Sequence, residues 1–204
     1  MLPLMLDLSR LTVILVGEGE AALRRLALLE QAGAVALTVH AERPSPELVA
    51  AAGRRLVRRL PSPAELAAAR LVFLSDRNAP YCPALAAAAR AAGALVHIED
   101  APALGDVQAP AVLRRGDLTI AVSTGGKSPG LAVLVKRFLA ARFGAEWQER
   151  LDALAARRRG WRASGADART IARWSEAWVE RNGWLADETT SSVAATRPRL
   201  AAGR

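Results

Sequence analysis

The segment that most constrains the fold lies close to the amino terminus. An apolar run rich in β-branched residues, Leu11 to Val16, is followed at once by Gly17-Glu18-Gly19-Glu20. Such a run predicts a buried strand that ends in a glycine turn. Residues 20–32 have helical spacing up to Gly33, and Ala34 to His40 predicts a second strand. The chain is therefore expected to begin with a strand, a helix and a second, parallel strand.

The alternation of predicted strands and helices continues to residue 98. Helices are predicted at Pro46 to Gly53, Pro63 to Ala69 and Pro83 to Ala92, and strands at Arg54 to Arg58, Leu71 to Leu74 and Ala94 to Ile98. This alternation predicts an α/β fold with a Rossmann-like, doubly wound parallel sheet.

A smaller unit and a helical region follow a loop-forming segment that ends at Pro110. The pattern predicts a strand around Leu118 to Ser123 and a helix from Pro129 to Phe143. Residues 146–184 are helical and amphipathic, with a break at Ser164-Gly165, and all five tryptophans lie in this region. The composition beyond Ala186 predicts a disordered tail.

The first glycine turn fits a dinucleotide-binding fingerprint. Gly17-Glu18-Gly19-Glu20-Ala21-Ala22 has the G-x-G-x-x-A spacing between a strand and a helix, where the second glycine lets a pyrophosphate approach the backbone. A clear acidic ribose partner about 20 residues further on is missing. Glu42 suits ribose hydroxyls and Arg43 suits a 2′-phosphate, so NAD and NADP both stay open. The alternative is that the glycines form only a turn.

A second glycine-rich turn precedes the Pro129 helix. Gly125-Gly126-Lys127-Ser128 is similar to the end of a phosphate-binding P-loop, but Ala121 stands where that motif has its first glycine, and a proline follows the serine. ATP and GTP binding are therefore excluded. A helix start with free N–H groups can still bind phosphates or carboxylates, and an ordinary helix cap is the equal alternative.

Asp100 follows a predicted apolar strand, at the edge of the sheet where doubly wound folds bind ligands. A carboxylate there can act as a general base, or it can cap backbone amides in the loop. His40 and His97 are predicted to pack or hydrogen-bond within their strands, and Cys82 is predicted to be structural.

The formal charge of +8, from 28 basic and 20 acidic residues, suits an anionic partner. Arg157-Arg158-Arg159 beside Trp161 could bind nucleic acid by charge and stacking. The i, i+4 spacing of Trp174 and Trp178 instead favours packing within a helical module, with the arginines on a solvated face. We therefore expect no nucleic-acid partner.

A single cysteine leaves no intrachain disulfide, and the sequence contains no zinc-ligand pattern. The start of the chain is a poor signal peptide, and no run approaches the ~18 apolar residues of a membrane span. The sequence therefore predicts a cytoplasmic protein without a membrane partner or a bound metal.

Four collinear segments resemble the precorrin-2 dehydrogenase family, the dehydrogenase and ferrochelatase module of siroheme synthases. They are Leu2 to Leu8, Val16 to Arg25, Val96 to Pro102 and Ile120 to Pro129, which contains the specific sequence Ser-Thr-Gly-Gly-Lys-Ser-Pro. The resemblance covers roughly residues 1–145. It leaves no room for the methyltransferase domain of the longer enzymes, so a stand-alone form is expected.

The resemblance implies NAD-dependent oxidation of precorrin-2 to sirohydrochlorin, in some members followed by insertion of ferrous iron to give siroheme. It also implies a homodimer. The expected divisions are a Rossmann NAD-binding domain at 1–110, a dimerisation region at 111–145, a C-terminal helical module at 146–185 and the tail at 186–204.

The family's functional residues fall on specific positions of this chain. The catalytic aspartate falls on Asp100. The NAD contacts fall on Gly17, Gly19, Glu20, Ala21, Glu42 and Arg43. The tetrapyrrole site falls on Thr124, Gly125, Gly126, Lys127 and Ser128.

The chain departs from the family pattern at its ligand loops. Glu18 replaces the middle glycine of a triple glycine, and its charge opposes a pyrophosphate unless the side chain turns away. Ser75-Asp76-Arg77 stands where the family has Thr-Asp-Asp, His97 where it has Asn, and Gln108-Ala109 where it has an apolar-aromatic pair. These changes motivate a second hypothesis, a non-catalytic relative that carries or senses a tetrapyrrole or dinucleotide.

Overall fold

The computed structural model describes residues 1–186, so nearly all of the predicted tail lies outside the described residues. The chain divides into two units. The first contains Met1–Ala111 and Val122–Val133, and the second contains Val112–Ala121 and the described residues from Leu134 onward. Each unit is described by itself.

The first unit contains a five-stranded parallel sheet with strand order β3-β2-β1-β4-β5. Its elements are β1 (Thr12–Val16), α1 (Glu20–Gln31), β2 (Ala36–His40), α2 (Pro46–Ala52), β3 (Leu56–Val57), α3 (Pro63–Ala68), β4 (Leu71–Leu74), α4 (Cys82–Ala91) and β5 (Leu95–Ile98). This architecture confirms the predicted Rossmann-like fold. The predicted strand Arg54 to Arg58 is shorter than expected, because a 3-10 helix occupies Gly53–Arg55.

The central strand β1 explains why its sequence is a continuous apolar run. Val13 and Leu15 belong to one hydrophobic cluster, whereas Ile14 and Val16 belong to another. Successive side chains of a strand point to opposite faces, so both faces of β1 are covered. Burial on both faces removes the polar alternation that a half-exposed strand would show.

The strand register brings the predicted site loops to one edge of the sheet. Val16 is opposite both His40 and Leu74, and Leu74 is opposite Ile98. The segments that begin at Gly17 and Ser75 therefore follow neighbouring strand ends. From β1 the chain adds β2 and β3 on one side of the sheet and then β4 and β5 on the other. Ligands of such sheets bind in the crevice at this switch point between β1 and β4.

Only one strand of a hairpin with a two-residue turn was predicted from the sequence. β6 (Ala111–Arg115) and β7 (Leu118–Val122) form a two-stranded sheet. The expected strand near Leu118 is present, but β6 was missed. Its sequence begins directly after Pro110 and ends in two arginines, so it contains only a short apolar run. Gly116 has a φ of 58° at the first turn position, and Gly-Asp between two short runs is a hairpin signal.

Three helices complete the described chain: α5 (Pro129–Arg142), α6 (Glu146–Ala163) and α7 (Ala168–Arg181). The predicted break at Ser164-Gly165 is confirmed, and Gly165 has a φ of 85° there. Asp167 then caps α7 by accepting the Thr170 N–H at 2.7 Å.

The arginine run on α6 packs against α7. Arg157 Cζ lies 3.5 Å from the centroid of the Trp178 ring, and Arg158 Nη1 donates to Ser175 Oγ at 2.9 Å. Arg157 is exposed, as a solvated face requires, but the guanidinium groups of both arginines also make contacts with α7 that were not predicted. Packing of the tryptophans is confirmed, since the rings of Trp161 and Trp174 lie 5.6 Å apart, edge to face.

Candidate functional site

Gly17 is required where β1 passes close to the end of β4. A Cβ atom on Gly17 would lie 1.9 Å from Ser75 Oγ and 3.2 Å from Ala22 Cβ. Ser75 is fixed in this place because its hydroxyl donates to the Val16 carbonyl at 3.0 Å. The first glycine of the fingerprint therefore serves close packing between strand and loop.

Gly19 leaves open space at the start of α1. A Cβ atom there would have no neighbour within 4 Å, and Gly19 is the helix N-cap, with no side chain to accept a backbone N–H. Open space and helix N–H groups together suit a pyrophosphate. The residues present therefore fit a dinucleotide, with Gly17 and Gly19 forming the turn and Glu20 and Ala21 the first helical turn.

The Glu18 side chain is turned toward the loop between β2 and α2. Its Oε1 accepts the Arg43 N–H at 2.8 Å, and its Oε2 lies 3.9 Å from Arg43 Nε. The Glu18 carbonyl also accepts the Ser45 N–H at 2.9 Å. These contacts join the glycine turn to the loop that carries Glu42, which is exposed. The Glu18 carboxylate is therefore turned toward Arg43, and in this arrangement its charge need not oppose a pyrophosphate at the glycine turn.

Asp100 has an unusual backbone conformation at the end of β5. Its φ of 51° is the only positive value of a non-glycine residue within residues 1–186. The Ala101 N–H closes the turn on the Ile98 carbonyl at 3.4 Å, and Arg77 Nη1 donates to the Asp100 carbonyl at 2.7 Å. Such conformations cost about 1–3 kcal/mol and occur preferentially at functional sites.

A half-buried charge cluster lies immediately before Asp100. Glu99 Oε2 accepts from Arg25 Nε at 3.2 Å and from Arg25 Nη2, and it lies 3.5 Å from His97 Nε2, an ion-pair distance rather than a normal hydrogen bond. The other His97 ring nitrogen lies 3.2 Å from the Val107 carbonyl oxygen. The adjacent His97 ring and the Arg25 guanidinium hold the pKa of Glu99 at about 2 despite its burial.

Sequence reasoning identified neither Arg25 nor Glu99 as important. The available signal was the position of Arg25 on the inner side of α1, directly before the buried Leu26. There its guanidinium stacks on Phe73, with 5.3 Å between Cζ and the ring centroid. An arginine among the buried residues of a helix indicates that a carboxylate or another acceptor inside the fold pairs with it.

The two histidines and the cysteine are buried, and each histidine has its Nδ1 within hydrogen-bond distance of a backbone carbonyl outside its own strand. His40 is fully buried, its Nδ1 lies 3.2 Å from the Arg59 carbonyl oxygen, and burial lowers its pKa. Cys82 is a free thiol inside the core, and burial raises its pKa. Neither group lies in the loops at the site.

The Thr124–Ser128 turn is held by its own side chains. Thr124 Oγ1 accepts the Ser128 N–H at 3.1 Å and donates to the Ser128 carbonyl at 3.0 Å. Ser128 Oγ accepts the Leu131 N–H at 3.2 Å, so it caps α5. Gly125 and Gly126 have φ values of 62° and 80°, which glycine adopts without strain. The exposed Lys127 supplies a positive charge at this turn.

The second glycine turn packs against the loop that follows Asp100. A Cβ atom on Gly126 would lie 2.7 Å from Pro102 Cγ, so only glycine fits there. The folded chain thus brings the predicted tetrapyrrole loop next to the predicted catalytic loop, although 26 positions separate Asp100 from Gly126.

Residues 1–186 lack two other kinds of functional feature. Within that range, no helix is long and apolar enough to cross a membrane. The same residues contain no group of three or more His, Cys, Asp or Glu side chains placed to hold a metal ion.

Two family profiles match consecutive parts of the chain. A family described as putative NAD(P)-binding matches residues 4–111. A second family, described as sirohaem biosynthesis protein central, matches residues 115–142. The first match contains the glycine turn and Asp100, and the second contains the Thr124–Ser128 turn.

Curated siroheme synthases are similar to the same region. The protein from Methylococcus capsulatus is 39% identical over 134 residues, covering 64% of this chain and 28% of the relative. The protein from Chromobacterium violaceum is 36% identical over 176 residues, covering 78% of this chain and 37% of the relative. The chain therefore spans roughly a third of the length of the curated relatives it matches.

A solved structure has a similar fold. It is described as SirC, precorrin-2 dehydrogenase, and it aligns with a TM-score of 0.71 at 22% identity. The alignment covers 95% of this chain and 97% of that one.

Proposed function

Because the chain belongs to the family of putative NAD(P)-binding domains, whose profile covers residues 4–111, we propose that it is an NAD-dependent precorrin-2 dehydrogenase. Its product would be sirohydrochlorin, an intermediate of siroheme biosynthesis. One observation carries the proposal. Asp100, in its left-handed conformation, lies in the loop that contacts the Gly126 turn, at the same sheet edge as the dinucleotide fingerprint.

The glycine turn and the start of α1 would hold the cofactor. Gly17 and Gly19 shape the turn, and the N–H groups of Glu20 and Ala21, in the first turn of α1, would donate to the pyrophosphate. Glu42 and Arg43, which follow the end of β2, would contact the adenosine side of the cofactor. When bound, NAD supplies the hydride acceptor.

Asp100 would remove the proton that accompanies hydride transfer. Oxidation of precorrin-2 to sirohydrochlorin removes two hydrogens, one as a hydride that gives NADH and one as a proton. A carboxylate at the mouth of the site can accept that proton and release it to solvent. Arg77 fixes the Asp100 backbone at the carbonyl and leaves the carboxylate available.

The Thr124–Ser128 turn would bind carboxylates of the tetrapyrrole. Thr124 and Ser128 use their hydroxyls within the turn, so they shape it rather than donate directly. The N–H groups of Gly125 and Gly126 and the ammonium of Lys127 are the donors suited to an anion. Ferrous iron would be a second substrate of the same site, with Asp100 accepting pyrrole protons as the metal enters the macrocycle.

A cytoplasmic location is part of this proposal. The lone cysteine is a buried free thiol, so the described fold uses no disulfide. A fold of this kind suits a reducing compartment.

A homodimer is also part of the proposal, supported by one face of α5. Leu131, Leu134 and Phe138 are 51%, 54% and 57% exposed, and their i, i+3, i+7 spacing forms an apolar stripe. Phe138→Glu is expected to convert the dimer to monomer in analytical ultracentrifugation, because the change places a charge in the stripe. Val35→Glu is the control. Val35 is an exposed apolar residue directly before β2, and this variant should stay dimeric. A Phe138→Glu dimer of unchanged affinity would contradict this assignment.

The enzymatic proposal is tested by incubating the purified chain with precorrin-2 and NAD under anaerobic conditions. Sirohydrochlorin and NADH should form in equal amounts, as measured by their absorbance. Binding of sirohydrochlorin without turnover of precorrin-2 would overturn the enzymatic proposal and favour a tetrapyrrole carrier. Addition of ferrous iron to the product mixture then measures siroheme formation separately.

A further inference from the structure

The end of β2 carries two residues with opposite consequences for cofactor choice. An acidic residue at this place in a dinucleotide-binding fold accepts the ribose hydroxyls of NAD, whereas an arginine accommodates the 2′-phosphate of NADP. Glu42 and Arg43 are adjacent here. The folded chain adds a third group, because the Glu18 carboxylate reaches across from the glycine turn and accepts the Arg43 N–H at 2.8 Å.

We propose that Glu18 sets the preference of this chain for NAD over NADP. The inference rests on the proposed function, since it concerns the same cofactor site. Glu18 brings a carboxylate to the ribose end of the site from the glycine turn rather than from the end of β2. One oxygen is held by the Arg43 backbone, and the other lies 3.9 Å from Arg43 Nε, so the carboxylate also offsets the charge of that guanidinium.

The relative burial of the two charges decides which one dominates. The Glu18 side chain is 25% exposed, whereas the Arg43 side chain is 89% exposed. Solvent screens an exposed charge far more than a mostly buried one. Attraction of a 2′-phosphate by Arg43 is therefore weaker than its repulsion by Glu18.

Other acidic groups at this edge act in the same direction. Burial and the nearby carboxylates of Asp76, Glu18 and Glu42 raise the pKa of Tyr81 to about 12. Asp76 and Glu42 follow the ends of β4 and β2 at the same edge of the sheet as Glu18, so a 2′-phosphate brought there would add to an existing negative charge. Among these three residues, Glu18 accepts hydrogen bonds from Arg43 and Ser45 in the loop between β2 and α2.

The test measures equilibrium binding of NAD and NADP to the full chain by isothermal titration calorimetry. Glu18→Gln keeps an oxygen for the Arg43 N–H and removes the charge. Loss of this repulsion should lower the ratio of the NADP dissociation constant to the NAD dissociation constant by about tenfold, the size of one charge interaction with a phosphate dianion. The shift should shrink at high salt because the interaction is screened. Glu149→Gln removes an equal charge from an exposed site on α6, outside the loop between β2 and α2, and should leave the ratio unchanged.

The titrations distinguish failure of the Glu18 role from failure of the proposed function. Binding of NAD by both proteins, with the same preference in Glu18→Gln as in the wild type, would overturn the role of Glu18 alone. An equal shift in Glu149→Gln would also overturn it, since net charge would then explain the result. Failure of the wild-type chain to bind either dinucleotide would overturn the proposed function and this inference together.

Discussion

Asp100→Asn is expected to lower kcat for precorrin-2 oxidation by about 10²–10⁴-fold, the usual contribution of a general base. The amide cannot accept a proton, but it has nearly the same size and shape as the carboxylate. The dissociation constants of NAD and sirohydrochlorin should change little, because Arg77 holds the carbonyl of residue 100 and not its side chain. Stopped-flow absorbance at saturating substrate measures the effect on kcat directly.

Asparagine is the informative replacement because of the backbone at this position. Residue 100 has a φ of 51°, and Asn and Asp adopt such values more readily than other non-glycine residues. Asp100→Ala would combine loss of the base with backbone strain, so its loss of activity would have two causes. The thermal unfolding midpoint of Asp100→Asn serves as the control for folding. Turnover by a folded Asp100→Asn protein at the wild-type rate would remove Asp100 from the mechanism.

Local sequence patterns predicted the sheet and the positions of the site loops. The β1 run, its glycine turn and the apolar β5 segment before Asp100 each contain their own signal, because strand burial and tight turns constrain neighbouring residues. The second glycine turn was predicted as a unit for the same reason. Its place against Pro102 was not predicted from those patterns, since packing between distant loops depends on the completed fold.

The interactions that tune the site join residues far apart in sequence. Arg25 and Glu99 are 74 positions apart, Glu18 and Arg43 are 25 apart, and Arg77 and Asp100 are 23 apart. None of these pairs has a spacing rule, because the register of the parallel strands brings them together. The ribose partner was sought at the end of β2, whereas the carboxylate that reaches this place comes from the glycine turn.

Arg25→Met is expected to lower the free energy of unfolding by about 3 kcal/mol, because removing one partner leaves a buried charge uncompensated. The side chains of Arg25 and Glu99 are 11% and 25% exposed. Arg24→Met is the matched control. Arg24 directly precedes Arg25 in α1, and the side chains of Arg24 and Glu20 are 63% and 82% exposed. Such an exposed i, i+4 pair contributes about 0.3–0.5 kcal/mol. Urea denaturation of both variants at pH 7 measures the difference, and equal effects would contradict a special role for Arg25.

The stability contributed by Glu99 should depend on pH in a defined direction. Its pKa is about 2 in the folded chain, against an ordinary value of 4.5. A lowered carboxylate pKa stabilises the fold above the unfolded-state value and loses this contribution as the pH falls toward the folded-state value. The lowering corresponds to roughly 3 kcal/mol at neutral pH. The gap in unfolding free energy between the wild type and Glu99→Gln should therefore narrow as the pH falls from 4.5 toward 2. A gap that stays constant down to pH 3 would mean that Glu99 contributes by packing and not by charge.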